Sequence, residues 1–359
     1  MKIGILTHPL ESNYGGILQN YALQEVLRRM GHDPITLRTG KTTYKIWLKK
    51  IIKNIINKVK GKNASFPLIP FIYEKRQSGI ESFIRKHIKA TDRIIWYSPD
   101  LIGKYQLEAL CVGSDKSWAS YFKRIDDMFF AFARDYNIIK FSYAPSFGTD
   151  KWEFNMDQTE KCRELVKSFT GISVREQSGV KLCKDYLNTD AKWLLDPTLL
   201  LSADDYSSLC ANIKNEKTDF ILAYMLNYTE GKKNYVKKVS LSLNKEVVVI
   251  QAENKVRSTD TVEKWISLFR DSIFVITDSF HGTIFSIIFH KDFISLSNPK
   301  RGTERFKSLS EMFSLDNNIL MTIPEKFKLN KIDWTWIDKK IQKKQKESLE
   351  FIRKSLLAR

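Results

Sequence analysis

Residues 277–283 read TDSFHGT, an acid, hydroxyls, a histidine and a glycine set between the apolar runs SIFVI and IFSIIF. Polar residues so placed make either a well-satisfied turn or a site at the carboxyl end of a strand with a helix behind it. His281 is the histidine that sits at such a strand end among small polar residues. An imidazole changes charge near neutral pH and suits a proton carrier, and the start of a helix beside it favours an anion. Asp278 is near enough in sequence to orient or charge the ring. Downstream, NPKRGTERF adds Lys300, Arg301 and Arg305, a set that can clamp an anion.

Three further stretches carry chemistry. In SVREQSG, Arg175 directly follows a strand, and its forked guanidinium can grip a carboxylate or phosphate, or else pair with Glu176 or another acid. In VGSDKSW, Asp115 follows an apolar strand and can act as a base or hold a sugar hydroxyl, while Ser114 or Asp115 can equally cap the next segment. In SNYGGILQ, the backbone around Gly15 and Gly16 can meet an anion or simply turn tightly. That loop lacks both G-x-G-x-x-G and a Walker lysine, so neither a dinucleotide site nor a P-loop is indicated.

The elements that must position these residues follow from periodicity. KIGILT reads as a strand, ILQNYALQEVLRRM as a helix stopped by Gly31, and PITLR as a second strand, the unit of a parallel doubly wound sheet. Strands are expected near 108, 139, 171 and 191, with helices at 77–89 and 156–169. SADDYSSLC looks like a capped helix start, and DFILAYML, VVVIQAE, SIFVITD and KDFISLS form a second strand series with helices between. The expected division is residues 1–203 and 204–330 as two Rossmann-like α/β units facing a cleft, with 331–359 a charged helix docking through Ile337, Ile341, Phe351 and Ile352.

With 359 residues and 43% hydrophobic content, the chain can bury two cores. Cys111, Cys162, Cys183 and Cys210 show no C-x-x-C pairing, which argues against a disulfide framework or zinc knuckle and fits a reducing cytoplasm. The 59 Lys and Arg against 41 Asp and Glu give +18, so an anionic partner is expected. No nucleic-acid reading module is recognisable. Residues 43–60 place Leu48, Ile51, Ile52, Ile55, Ile56 and Val59 at helical spacing beside Lys45, Lys49 and Lys53. That is the pattern of an interfacial membrane helix, or of a helix packed on its domain with solvated lysines.

In this order, NYGGILQNYAL, VGSDKSW, SYAPSFG, SVREQSG, LLDPTLL and TDSFHGTIFSIIF resemble the polysaccharide pyruvyl transferases, over residues 3 to about 315. The resemblance implies a fold like the GT-B glycosyltransferases. It also implies transfer of pyruvate from phosphoenolpyruvate to two hydroxyls of a sugar such as galactose, as a ketal. No cofactor or metal is expected. By this match Arg175 and His281 contact phosphoenolpyruvate and Phe280 lines its pocket, with Ser279, Gly282, Lys300 and Arg305 around it. Some members carry an arginine where this chain has Ser279, so Lys300 or Arg305 has to replace that cation. The acceptor is expected against Asn13, Tyr14, Gly15, Asp115 and Glu176, although Lys116 and Ala119 replace the usual glutamine and asparagine near Asp115. His281 is the expected acid and Asp115, Glu176 or Asp278 the base. The acceptor is expected on a polyprenyl diphosphate at the inner face of the cell membrane, in surface-polysaccharide synthesis, with the basic charge holding the enzyme there. The alternatives are a glycosyltransferase of the same fold using a nucleotide sugar, and a basic membrane-surface binding protein without catalysis.

Overall fold

The structure is a computed structural model that describes residues 1–11, 13–39, 70–122, 124–251, 261–297 and 302–358. The basic stretch 43–60, Lys300 and Arg301 lie outside the described residues.

Two parallel sheets organise the chain. The first has the order β2-β1-β3-β4, from β1 (Lys2–Leu6), β2 (Asp33–Thr36), β3 (Ala109–Val112) and β4 (Ile139–Ser142). Helix α1 (Tyr14–Arg29) links β1 to β2, and α2 (Pro70–His87) and α3 (Asp100–Tyr105) precede β3. After β4 come α4 (Met156–Val166), β5 (Ser173–Val174), α5 (Gln177–Leu187) and β6 (Lys192–Trp193). The short β5-β6 pair continues the sheet past β4 through a bridge between Phe141 and Gly171. β3 reads ALCV and is buried at every position, as expected of a parallel strand covered on both faces.

Helix α6 (Ala203–Leu209) is capped as its sequence promised, Ser202 and Asp205 exchanging hydrogen bonds in a capping box. The second sheet has the order β11-β10-β9-β7-β8. It is built from β7 (Ile221–Met225), α7 (Glu230–Leu243), β8 (Val247–Gln251), α8 (Val262–Asp271), β9 (Phe274–Thr277) and α9 (Phe280–Ile288), followed by β10 (Asp292–Leu296), α10 (Glu304–Phe313) and β11 (Ile319–Leu320). The short α3 and β11 are too brief for the periodicity to show, α5 and α10 were not among the expected helices, and α2 begins seven residues before the helix expected at 77–89. The expected strands and the other expected helices fall within a few residues of their places.

Helix α11 (Trp334–Leu357) ties the two units together. Its Asp338 pairs with His290 of the second unit, Gln345 donates to the Leu199 carbonyl, and the Ser355 carbonyl accepts from Thr170 of the first. Ile337, Phe351 and Ile352 are buried, while Ile341 is partly so. The largest apolar cluster is shared between the units, running from Ile3 and Ile17 to Leu222, Trp265 and Phe285. Among the described residues no helix is long and apolar enough to cross a membrane.

Both sheets reverse strand order at one point, β1 with β3 in the first and β7 with β9 in the second. In such sheets the crevice beyond the carboxyl ends of the strands at the reversal is where ligands bind. The loops leaving β1, β3 and β9 carry Asn13 to Gly16, Ser114 to Lys116, and Asp278 to His281.

Candidate active site

The two reversal points face each other. α1 and α9 start at their respective strand ends, and their first turns touch. A Cβ added to Gly15 would lie 2.1 Å from His281 Nδ1, so the absent side chain is what admits the imidazole. The first N–H groups of a helix have no intrahelical partner and carry the positive end of its dipole. Two such ends, one from each unit, therefore converge around His281. Ser279 caps α9 by accepting from Gly282 N, and Gly282 is required because a Cβ there would meet Thr277 Oγ1 at 2.4 Å.

Arg175 and His281 come from different units and meet at one carboxylate, Asp196. Arg175 Nη1 donates to Asp196 Oδ2 at 2.9 Å and Ser114 Oγ donates to the same oxygen at 3.0 Å. His281 Nε2 stands 3.6 Å from it, an ion-pair distance just beyond hydrogen-bond length. The other oxygen, Oδ1, accepts from Thr198 N and Thr198 Oγ1 at 3.0 and 2.6 Å and so caps the short helix at 197–200. Burial alone would raise the Asp196 carboxyl; His281, Arg175 and the Thr198 hydroxyl outweigh it and hold the group well below the usual carboxylate range. The remaining Arg175 donor, Nη2, and His281 Nε2 are both buried without a hydrogen bond. A buried guanidinium donor and a buried imidazole nitrogen left open in one cleft are suited to receive an anion's oxygens.

Phe280 forms the wall between the cations. The guanidinium of Arg175 lies 4.5 Å from its ring centre and that of Arg305, on the first turn of α10, lies 5.7 Å away. Arg305 thus stands beside Phe280, the residue next to Ser279 in sequence. Lys300 lies outside the described residues. Between Arg175, Asp196, Phe280 and Arg305 the space is about 10 Å³, room for one water. Gly302 of the second unit packs on the Gly148 carbonyl of the first so closely that a Cβ would lie 2.4 Å from that oxygen.

Asp115 completes the first-unit side. It adopts a left-handed backbone with φ of 70°, and its Oδ1 accepts from Lys116 N at 2.9 Å. Asn13 precedes α1 without capping it and instead donates through Nδ2 to Asp115 Oδ2 at 3.1 Å. Burial would raise the Asp115 carboxyl, but His8, Arg175, His281 and Arg305 hold it below its ordinary value. Lys116 is pushed down to about 8, by burial and then by Arg305.

Three expected site residues have other work. Asp278 lies next to His281 in sequence, yet it turns inward from the strand end: Leu226 N and Asn227 N donate to its two oxygens at 2.5 and 3.0 Å, and Lys232 Nζ pairs with it at 2.5 Å. It shapes the 226–227 loop, and the carboxylate beside His281 Nε2 is Asp196. Tyr14 is buried in the interface between the units, its ring 5.9 Å from Trp265, and does not line an acceptor surface. Glu176 is buried and accepts from Arg175 Nε at 3.1 Å, so the salt-bridge reading of Arg175 is realised there. Asp196 had no role in the sequence reading, although its motif, LLDPTLL, was in view and an Asp before Pro-Thr is a capping signal. Among the described residues no three His, Cys, Asp or Glu side chains converge to hold a metal ion.

Comparison with solved structures supports the two-unit architecture. The chain aligns over 98% of its length with 99% of the UDP-GlcNAc 2-epimerase from Methanocaldococcus jannaschii, at 10% identity and a TM-score of 0.50. SsfS6, a glycosyltransferase from Streptomyces sp. SF2575, aligns over 99% of this chain and 94% of its own at 11% identity and a TM-score of 0.40. At 10% identity the likeness to the epimerase is one of fold, a chain of two Rossmann-like α/β units. Comparison with curated protein sequences finds no match. The family model described as polysaccharide pyruvyl transferase matches residues 13–300, which span every one of the strand-end loops above from Asn13 onward, and the chain belongs to that family.

Proposed function

We propose that this chain transfers pyruvate from phosphoenolpyruvate to two hydroxyls of one sugar, forming a ketal in the synthesis of a bacterial surface polysaccharide. The observation that carries the reading is the meeting of Arg175 and His281, from opposite units, at Asp196, between the starts of α1 and α9. Phosphoenolpyruvate bears a carboxylate and a phosphate on three carbons. It needs a compact site with more than one cationic donor, and two helix starts, Arg175 and Arg305 supply that.

In this reading Arg175 Nη2 takes the donor's carboxylate and the helix starts with Arg305 take its phosphate. Protonation of C3 makes C2 electrophilic, and a sugar hydroxyl adds to C2 with loss of its proton. The C2–O bond to phosphate then breaks, phosphate leaving with a proton, and the second hydroxyl closes the ketal as it gives up its own. Of the two hydroxyl protons released, the balance leaves one on C3 and one on phosphate. His281 is the acid, set beside both the donor site and Asp196. Asp115 is held ionised by His8 and Arg175 among others, so it accepts a hydroxyl hydrogen bond and orients the nucleophile.

The cleft is nearly closed, so the units separate to admit donor and acceptor. A lipid-linked acceptor, such as a polyprenyl diphosphate sugar, fits the +18 charge and the basic pattern of residues 43–60, which would hold the protein at an anionic membrane face. Acceptor-dependent release of phosphate from phosphoenolpyruvate, measured over a panel of glycolipids, tests the reading. Thermal stabilisation by a uridine or guanosine diphosphate sugar, without stabilisation by phosphoenolpyruvate, would instead favour a nucleotide-sugar glycosyltransferase.

A further inference from the structure

Three rings stand together at the carboxyl edge of the first sheet, on the loops that leave β1 and β3. His8 follows β1, and Tyr121 and Phe122 follow β3, the strand hydrogen-bonded to β1. The His8 ring lies 6.2 Å from Tyr121 and 5.8 Å from Phe122, both edge to face, and Tyr121 lies 4.9 Å from Phe122. The loops that carry them are pinned. Thr7 Oγ1 donates to the Ser114 carbonyl at 3.4 Å, Gln19 Nε2 donates to Thr7 Oγ1 at 2.9 Å, and Ser117 Oγ donates to the Ser114 carbonyl at 2.9 Å.

Tyr121 nevertheless keeps 57% of its surface in solvent. A large aromatic ring fixed at its edge by two others, with its remaining surface open, is a preformed platform whose ordering cost is already met by the fold. Its charge setting is specific. His8 is the foremost of the groups that hold the Asp115 carboxylate below its ordinary value. Asp115 and Tyr121 leave β3 on one loop held by successive turns, Ser117 N donating to the Asp115 carbonyl at 2.8 Å, Ala119 N to the Lys116 carbonyl at 3.3 Å and Phe122 N to the Ala119 carbonyl at 3.3 Å, so the platform stands next along the chain from the candidate hydroxyl-orienting carboxylate.

We infer that the Tyr121 platform is the seat of the acceptor sugar: a pyranose ring lays its apolar C–H face on Tyr121 while its hydroxyls point toward Asp115. A pyranose has one face of axial C–H groups and an equatorial rim of hydroxyls, which matches an open aromatic surface bordered by a carboxylate. The inference rests on the pyruvyl transfer proposed above for its chemistry, but the binding event it describes does not need that transfer.

The test uses the full-length protein and two variants, Tyr121→Ala and Tyr121→Phe, each checked for native folding by circular dichroism and thermal melting. Saturation-transfer NMR with methyl β-galactoside and methyl β-glucoside, in the absence of phosphoenolpyruvate, reads sugar binding directly. At least one pyranoside should give signal from its C–H protons with wild type and Tyr121→Phe, and lose it with Tyr121→Ala. In turnover, Tyr121→Ala should raise the acceptor KM about tenfold, the scale of one lost aromatic contact, with kcat and thermal stabilisation by phosphoenolpyruvate within about twofold of wild type. Equal pyranoside signal in wild type and Tyr121→Ala, or no pyranoside signal with wild type, would overturn the platform. If pyruvyl transfer itself were absent while the Tyr121-dependent signal persisted, the sugar seat would stand and only the reaction assigned to it would fall.

Discussion

The Cα of Gly15, on the first turn of α1, packs directly against the imidazole of His281, on the first turn of α9. A methyl group there would overlap Nδ1 at 2.1 Å. This contact locates the working histidine between two helix starts and makes the glycine a gauge of its position. Gly15→Ala must displace the ring by about an ångström or push the units apart. Activity is predicted to fall about 10²-fold, the cost of misplacing a catalytic group by that distance, while the thermal midpoint changes by only a few degrees. Steady-state kinetics beside a melting curve checks this, and full activity in the alanine variant would show that the contact does not position His281.

Asp196 joins the two units by receiving Arg175, Ser114 and the approach of His281 on one oxygen. Asp196→Asn keeps the shape and removes the charge, leaving Arg175 with Glu176. The expected loss of stability is about 3 kcal/mol, the low end for breaking a buried pair. The sign of its pH dependence follows from the depressed carboxyl. A group whose folded-state pKa lies below its unfolded value stabilises above that unfolded value, near 3.9 for Asp. That contribution is lost as pH falls toward the folded-state value. The stability gap between wild type and Asp196→Asn should be full at about pH 6 to 7 and shrink below about pH 4. Thermal melts across that range read it, and an undiminished gap in acid would mean the charge is not what Asp196 contributes.

Residues 43–60 alternate Ile and Leu with lysine and contain no acid. If they hold the protein at a membrane, sedimentation with vesicles containing phosphatidylglycerol should be strong at low salt and weaken several-fold near 0.5 M salt, where the screening length is only a few ångströms. Removing 43–60 should abolish it, and neither protein should be retained on neutral phosphatidylcholine. Retention unchanged by the deletion would move the membrane contact elsewhere or dismiss it.

Much of this was legible in the chain. Apolar runs such as ALCV and FVIT, bounded by turn residues, read as buried strands, and Ser202 marks a helix start by its type; that Ser279 caps α9 was not read from the sequence. His281 and Arg175 stood out because each follows a strand end. The partners of those residues were harder to read, because they are fixed by the packing of one unit on the other. Asp196 sits in LLDPTLL, whose apolar flanks suggest core. Its tie to Arg175 spans 21 residues and its approach to His281 crosses the interface. Asp278 misled for the opposite reason: adjacency in sequence to His281 suggested contact, yet the turn from β9 into α9 sends its carboxylate to Lys232 and the 226–227 backbone. Tyr14 looked exposed in a polar loop until Trp265, 251 residues later, covered it.

The central claim is that Arg175 and His281 serve one phosphoenolpyruvate molecule. The most direct measurement is phosphate release from phosphoenolpyruvate by wild type, His281→Ala and Arg175→Gln, with and without a glycolipid acceptor. Wild type should release phosphate only when acceptor is present. His281→Ala should lower kcat by about 10² to 10⁴, the range for removing a general acid, and Arg175→Gln should act mainly by raising the KM for phosphoenolpyruvate. Acceptor-dependent release that His281→Ala leaves unimpaired, or no release by wild type across a broad acceptor panel, would contradict the account.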